Sequence, residues 1–186
     1  AQNFAVRKHL LEYDDVMNKQ RESVYTLRRE VLEGVVRVTE EETSDTRGYL
    51  LATADDLVDD KVELYCVKDG DSSTWDLDAL RRELTELFSL DDDDYASVPF
   101  DGRPVEIREA LQARVRAKYA EKEAVIPADI MRRVERDLML QIVDTQWKDH
   151  LYSLDHLKDG ISLRSYGQRD PLVEYKKESY TLFQDM

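Results

Sequence analysis

The stretch MLQIVDTQWKDHLYSLDHLKDGISLRSYGQRDP, Met139 to Pro171, decides the fold. Its apolar residues Leu140, Val143, Trp147, Leu151, Leu154, Leu157 and Ile161 step by three or four, the spacing that puts side chains on one face of a helix. Ile130, Val134 and Leu138 carry the same seam backwards. One helix of more than about 30 residues is therefore predicted, with Pro127 in its first turn. Gly160 loosens its end, and Gly167 allows a sharp turn. Asp170 then caps a second helix that Pro171 opens, with Leu172, Tyr175, Ser179, Leu182 and Met186 on its seam and Phe183 beside it. The pattern is a helical hairpin. A loop between antiparallel helices has no core of its own to fill, so its residues Leu163, Arg164, Tyr166, Gln168 and Arg169 are the candidate contact residues.

A second rod lies at the other end of the chain. Val6, Leu10, Tyr13, Met17, Val24, Leu27 and Val31 repeat with near-heptad spacing, and only Gln20 interrupts the seam. With Asn3 as N-cap this helix is predicted over 4–33, about 45 Å of rod. The β-branched Val35, Val36 and Val38 weaken helix beyond Gly34. Tyr13 and Met17 on this rod, with Trp147 and Leu151 on the hairpin, are the expected packing residues between them.

Between the rods, helices are predicted over about 46–68, from Asp76 or Asp78 past Leu80, Leu84, Leu87 and Phe88, and over about 105–124. Thr43, Ser44 or Asp45 caps the first of these. Asp69–Ser73 reads as a turn, and Asp91–Asp94 with Pro99–Pro104 reads as irregular, solvated loop.

Charge separates the modules. The chain carries −14 overall. Residues 45–126 hold 21 acidic and 11 basic side chains, while the outer segments are each near −2. That balance argues against nucleic-acid binding. Charged residues make up 37% and Gly numbers only 6, which suits helices rather than a sandwich or barrel. No run of about 18 apolar residues spans a membrane. The chain begins with Ala and shows no signal peptide, so it reads as a piece of a longer protein. The single Cys66 reads as a half-buried thiol.

Catalytic chemistry is hard to place. There is no GxxxxGK[ST] and no GxGxxG, hence no phosphate cradle. His150 and His156 are six residues apart and point to different helix faces, so they are read with His9 as polar-face histidines rather than a metal pair. Asp69–Ser73 lacks the Gly and the closing Glu of a calcium loop. Asp14 and Asp15 splay on a helix and are expected to pair with arginines of a neighbouring domain. No active site, metal site or cofactor site is predicted in this chain.

The runs LEYDDVMNKQR (Leu11 to Arg21), Met139 to Pro171 and EYKKESYTLFQ (Glu174 to Gln184) resemble the SecA family, the ATPases that drive preproteins through the SecY channel. The resemblance covers residues 1–34 and 125–186, and matches by position in the middle. It implies an all-α fold: a long scaffold helix (1–44), an inserted acidic helical wing domain (45–124), and a scaffold return helix with a two-helix finger (125–186). It implies that ATP and Mg belong to motor domains outside this chain, and that the fragment is not itself an enzyme. The implied partners are those nucleotide-binding domains in cis, the SecY channel and unfolded preproteins, at the cytoplasmic face of the bacterial membrane. Tyr166 then matches the fingertip residue that meets the translocating chain. Ser165 stands where the family commonly has Gly, and Arg169 where it commonly has Lys. A free-standing coiled-coil adaptor or oligomerisation module is the alternative, and a metal-dependent bundle enzyme the weakest. Cut from a motor, the first helix exposes its seam, so self-association is expected.

Overall fold

A computed structural model describes residues 2–39, 42–66, 74–161 and 170–186, with side chains from residue 11 onward. The fold is all-α apart from one minimal strand pair. The described elements are α1 (Gln2–Glu33), β1 (Val36–Arg37), β2 (Thr43–Ser44), α2 (Thr46–Tyr65), α3 (Leu77–Phe88), α4 (Asp92–Tyr95), α5 (Pro104–Val125), α6 (Ala128–Ile161) and α7 (Pro171–Gln184).

Local chemistry sets where these elements begin and end. Gly34 ends α1 with φ +75°, its N–H bonding Val31 O and the next N–H bonding Glu30 O. That is a Schellman closure, and the residue with positive φ lacks a Cβ to clash. The valine-rich run after it becomes β1, where β-branched side chains fit better than in a helix. Asp45 caps α2 by accepting from Gly48 N at 2.7 Å, and Asp76 caps α3 by accepting from Ala79 N at 3.0 Å. Asp170 caps α7 through Leu172 N at 2.9 Å.

The Asp91–Asp94 run is a correction to the sequence reading. It is not a solvated loop: Asp91 and Asp94 form a reciprocal capping box that starts α4. Four acidic residues in a row hide this, because the box depends on which two of them reach each other's backbone N–H, and of the four only Asp94 is buried.

The chain divides into two compact units, one of 1–36 with 136–186 and the other of 37–135. Local pairing sets the borders of these units. The chain after Val36 pairs with Glu42–Ser44 inside the second unit, and the first turns of α6 place Arg132 and Glu135 among groups of α2 and α5.

The second unit is built on Val58, Val62, Cys66, Leu80, Leu84, Leu90, Tyr95, Val98, Ile107, Leu111 and Val115. Each fully buried aliphatic side chain there stabilises by about 1.5–3 kcal/mol over its exposed state. Cys66 is wholly buried rather than half-buried, and burial pushes its thiol pKa up. The first unit packs α1 against α6 and α7. Leu154, Ile161 and Tyr175 form its cluster, with Tyr13, Val16, Met17, Leu157 and Leu182 against it.

The long α6 seam is covered only in its second half. Trp147, Leu154 and Ile161 are buried, whereas Ile130, Val134 and Leu138 stay about half exposed. Near its start α6 buries Glu135 instead, because that carboxylate has three donors to satisfy it.

Candidate functional site

The five tip residues Leu163, Arg164, Tyr166, Gln168 and Arg169 lie outside the described residues, together with Ser165, Gly167 and the Asp69–Ser73 turn. What the structure describes is the base that carries the tip. There α6 ends at Ile161, which is buried beside Leu154 and Tyr175. Tyr13 of α1 meets Tyr175 of α7 edge-on, with centroids 4.6 Å apart and planes at 67°. Such aromatic pairs add about 0.5–1.5 kcal/mol beyond their buried area. Burial is the main cause that raises the pKa of both phenols. Lys158 of α6 lies 3.6 Å from Asp14 and over the Tyr13 ring at 5.9 Å. Within this unit Asp14, itself half exposed, has Lys158 as its ionic partner. Met17 and Leu151 are half-buried, and Trp147 is buried.

One helical turn up, a polar group crosses all three helices. Gln20 of α1, 7% exposed, donates from Nε2 to the Ser179 carbonyl of α7 at 3.1 Å. That orientation turns its Oε1 to His150 of α6, 2.9 Å from Nε2. An amide oxygen only accepts, so His150 carries its proton on Nε2. Ser179 is fully buried, and its hydroxyl folds back onto Lys176 O at 3.1 Å. His150 stacks on Trp147 at 5.6 Å and lies 5.6 Å from the Phe183 ring. His150 is therefore an interior residue, contrary to the polar-face reading, and burial lowers its pKa. His156 is exposed, edge-on to Tyr152 at 4.4 Å. With its one proton engaged by an amide, His150 acts as a brace rather than as an acid–base group.

The second unit holds two further buried carboxylates. Asp94 receives Lys118 Nζ at 2.8 Å and both Nε and Nη2 of Arg114. The Lys118 bond is the leading cause that lowers its pKa to about 2. Glu135 receives Thr46 Oγ1 at 3.0 Å, Arg132 at 2.8 Å and the Tyr119 hydroxyl. Burial raises its pKa, against the pull of the Thr46 hydrogen bond. Arg132 also reaches Glu123, which Arg47 bonds from α2. These groups fasten helices to one another and are arranged as ion pairs, not as a nucleophile with its base. Sequence reasoning missed Gln20, Asp94 and Glu135. The available signal was a polar residue standing in an apolar seam, as Gln20 does.

The whole chain, residues 1–186, matches the family model described as SecA Wing and Scaffold domain. The chain belongs to that family. It is 44% identical over 188 residues to the Protein translocase subunit SecA of Solibacter usitatus, covering 100% of this chain and 18% of that protein. It is 44% identical to that of Geotalea uraniireducens and 43% identical to that of Geobacter metallireducens, each over 186 residues, 100% of this chain and 20% of the relative. The SecA wing and scaffold domain thus spans about a fifth of the length of these relatives. Its all-α character agrees with the family. No helix among the described residues is long and apolar enough to cross a membrane.

Proposed function

We propose that this chain is the non-catalytic lever of a SecA protein translocase. In this reading, motor domains outside the chain bind ATP and Mg and move α1. The α6–α7 hairpin carries that movement to preprotein at the SecY channel, on the inner face of the bacterial membrane. Tyr166 touches the translocating polypeptide, with Leu163, Arg164, Gln168 and Arg169 around it. A ring with one hydroxyl offers apolar contact and a single hydrogen bond without demanding a sequence, which suits an unfolded client.

The observation that carries this reading is the base of the hairpin. Tyr13, Tyr175 and Ile161 lock both hairpin helices to the long helix through aromatic and aliphatic packing. Rigid-body leverage needs that stiffness, since a loose joint dissipates displacement before it reaches the tip. The test replaces Tyr166 by Ala in the full-length translocase and measures preprotein transport into membrane vesicles with ATP. Transport is expected to fall steeply while nucleotide hydrolysis in the absence of preprotein persists. Undiminished transport removes the tip from the mechanism.

A further inference from the structure

From the buried polar group shared by α1, α6 and α7 we infer that Gln20 is a register lock, the residue that permits only one longitudinal alignment of the three helices. The inference does not depend on the translocation reading.

Apolar seams are poor rulers. Tyr13, Met17, Val24, Leu27 and Val31 repeat at near-heptad spacing, so α1 displaced by seven residues still presents a greasy stripe to α6 and α7. The surface ion pairs run with the observed alignment: Asp14 meets Lys158 and Arg28 meets Asp144, so numbers fall along α6 as they rise along α1. Exposed pairs of this kind are weak, and salt screens them.

Gln20 differs in kind. It lies between those two ion pairs, it is buried, and it satisfies two groups at once. In any heptad-shifted alignment Tyr13 or Leu27 replaces it opposite His150. Leucine has no acceptor, and the His150 N–H is left unpaired in an apolar interior. A shifted tyrosine is too bulky for the space beside Ser179, whose small side chain is fully buried at the contact. One polar residue in an otherwise apolar seam is the attested device for fixing alignment in coiled coils. Here the device spans three helices, because the amide donates to one neighbour and accepts from the other.

The test uses spin labels on the 186-residue chain at Leu11→Cys and Tyr180→Cys, two exposed positions on α1 and α7, with labelled chain diluted in excess unlabelled chain so that only distances within one chain are read. Cys66 is buried and escapes labelling. Pulsed dipolar spectroscopy on the otherwise native chain is expected to give one narrow distance. Gln20→Leu is expected to add a second population displaced by about 10 Å, one heptad of helix rise. Because Gln20→Leu strands the His150 N–H, the double variant Gln20→Leu/His150→Leu is measured beside it and is expected to show the same two populations. One unchanged narrow distance in both variants overturns the inference, since apolar packing alone then sets the alignment. Unfolding of the double variant also overturns it, because the seams must hold the helices together without the lock.

Discussion

Gln20 and His150, 130 residues apart in sequence, share a 2.9 Å hydrogen bond inside the first unit. The bond dictates the imidazole tautomer, and burial keeps the ring neutral by lowering its pKa from 6.5. A lowered histidine pKa means that the unfolded chain binds the proton more readily than the folded one. Stability from this group is therefore complete above pH 6.5 and is lost as pH falls below it. In a Trp75→Phe background, Trp147 fluorescence during urea unfolding is expected to show decreasing stability from pH 7 to pH 5. His150→Gln is expected to remove part of that slope, and an identical slope in both proteins refutes the assignment.

Asp94 has the opposite ionisation preference. Its pKa of about 2, against 3.8 ordinarily, means its contribution is present above pH 3.8 and disappears as pH falls toward 2. Asp94→Ala removes half of the α4 capping box and leaves Arg114 and Lys118 without their buried acceptor. A loss of about 2 kcal/mol is expected at pH 7. Chemical denaturation of variant and parent checks it, and the difference should shrink below pH 3.

Gly34→Ala places a Cβ on a residue at φ +75°. Its nearest neighbour atom is 3.7 Å away, so the penalty is backbone strain rather than collision. A cost of about 1 kcal/mol is expected, and Gly34→Asn should recover much of it because asparagine tolerates this conformation. Thermal unfolding of the three proteins measures the order Gly, Asn, Ala.

Tyr175→Ala empties the centre of the hairpin base, where the ring is 2% exposed against Tyr13. A loss of about 3–5 kcal/mol is expected from the lost burial and the cavity left behind. Hydrogen exchange should show faster opening in α7 and the end of α6, with 37–135 unaffected.

Much of the fold was legible in single segments. The seam around Trp147 and Leu154, the capping Asp170 and the Gly34 stop each act within a turn or two of helix, so period and residue type are enough to find them. Asp94 was misread because its role depends on Arg114 and Lys118 from another helix. The half exposure of Ile130, Val134 and Leu138 was not legible, because a seam shows which face is apolar, not how far a neighbour covers it.

The sequence by itself determined two long rods, a helical insertion and a capped hairpin, since helix hydrogen bonds and caps are satisfied by near neighbours. Only the tertiary structure decided which polar residues live inside. Gln20, His150, Ser179, Asp94 and Glu135 are tolerable in the interior because distant partners replace the water they lose, and a partner brought from another helix leaves no trace in local spacing.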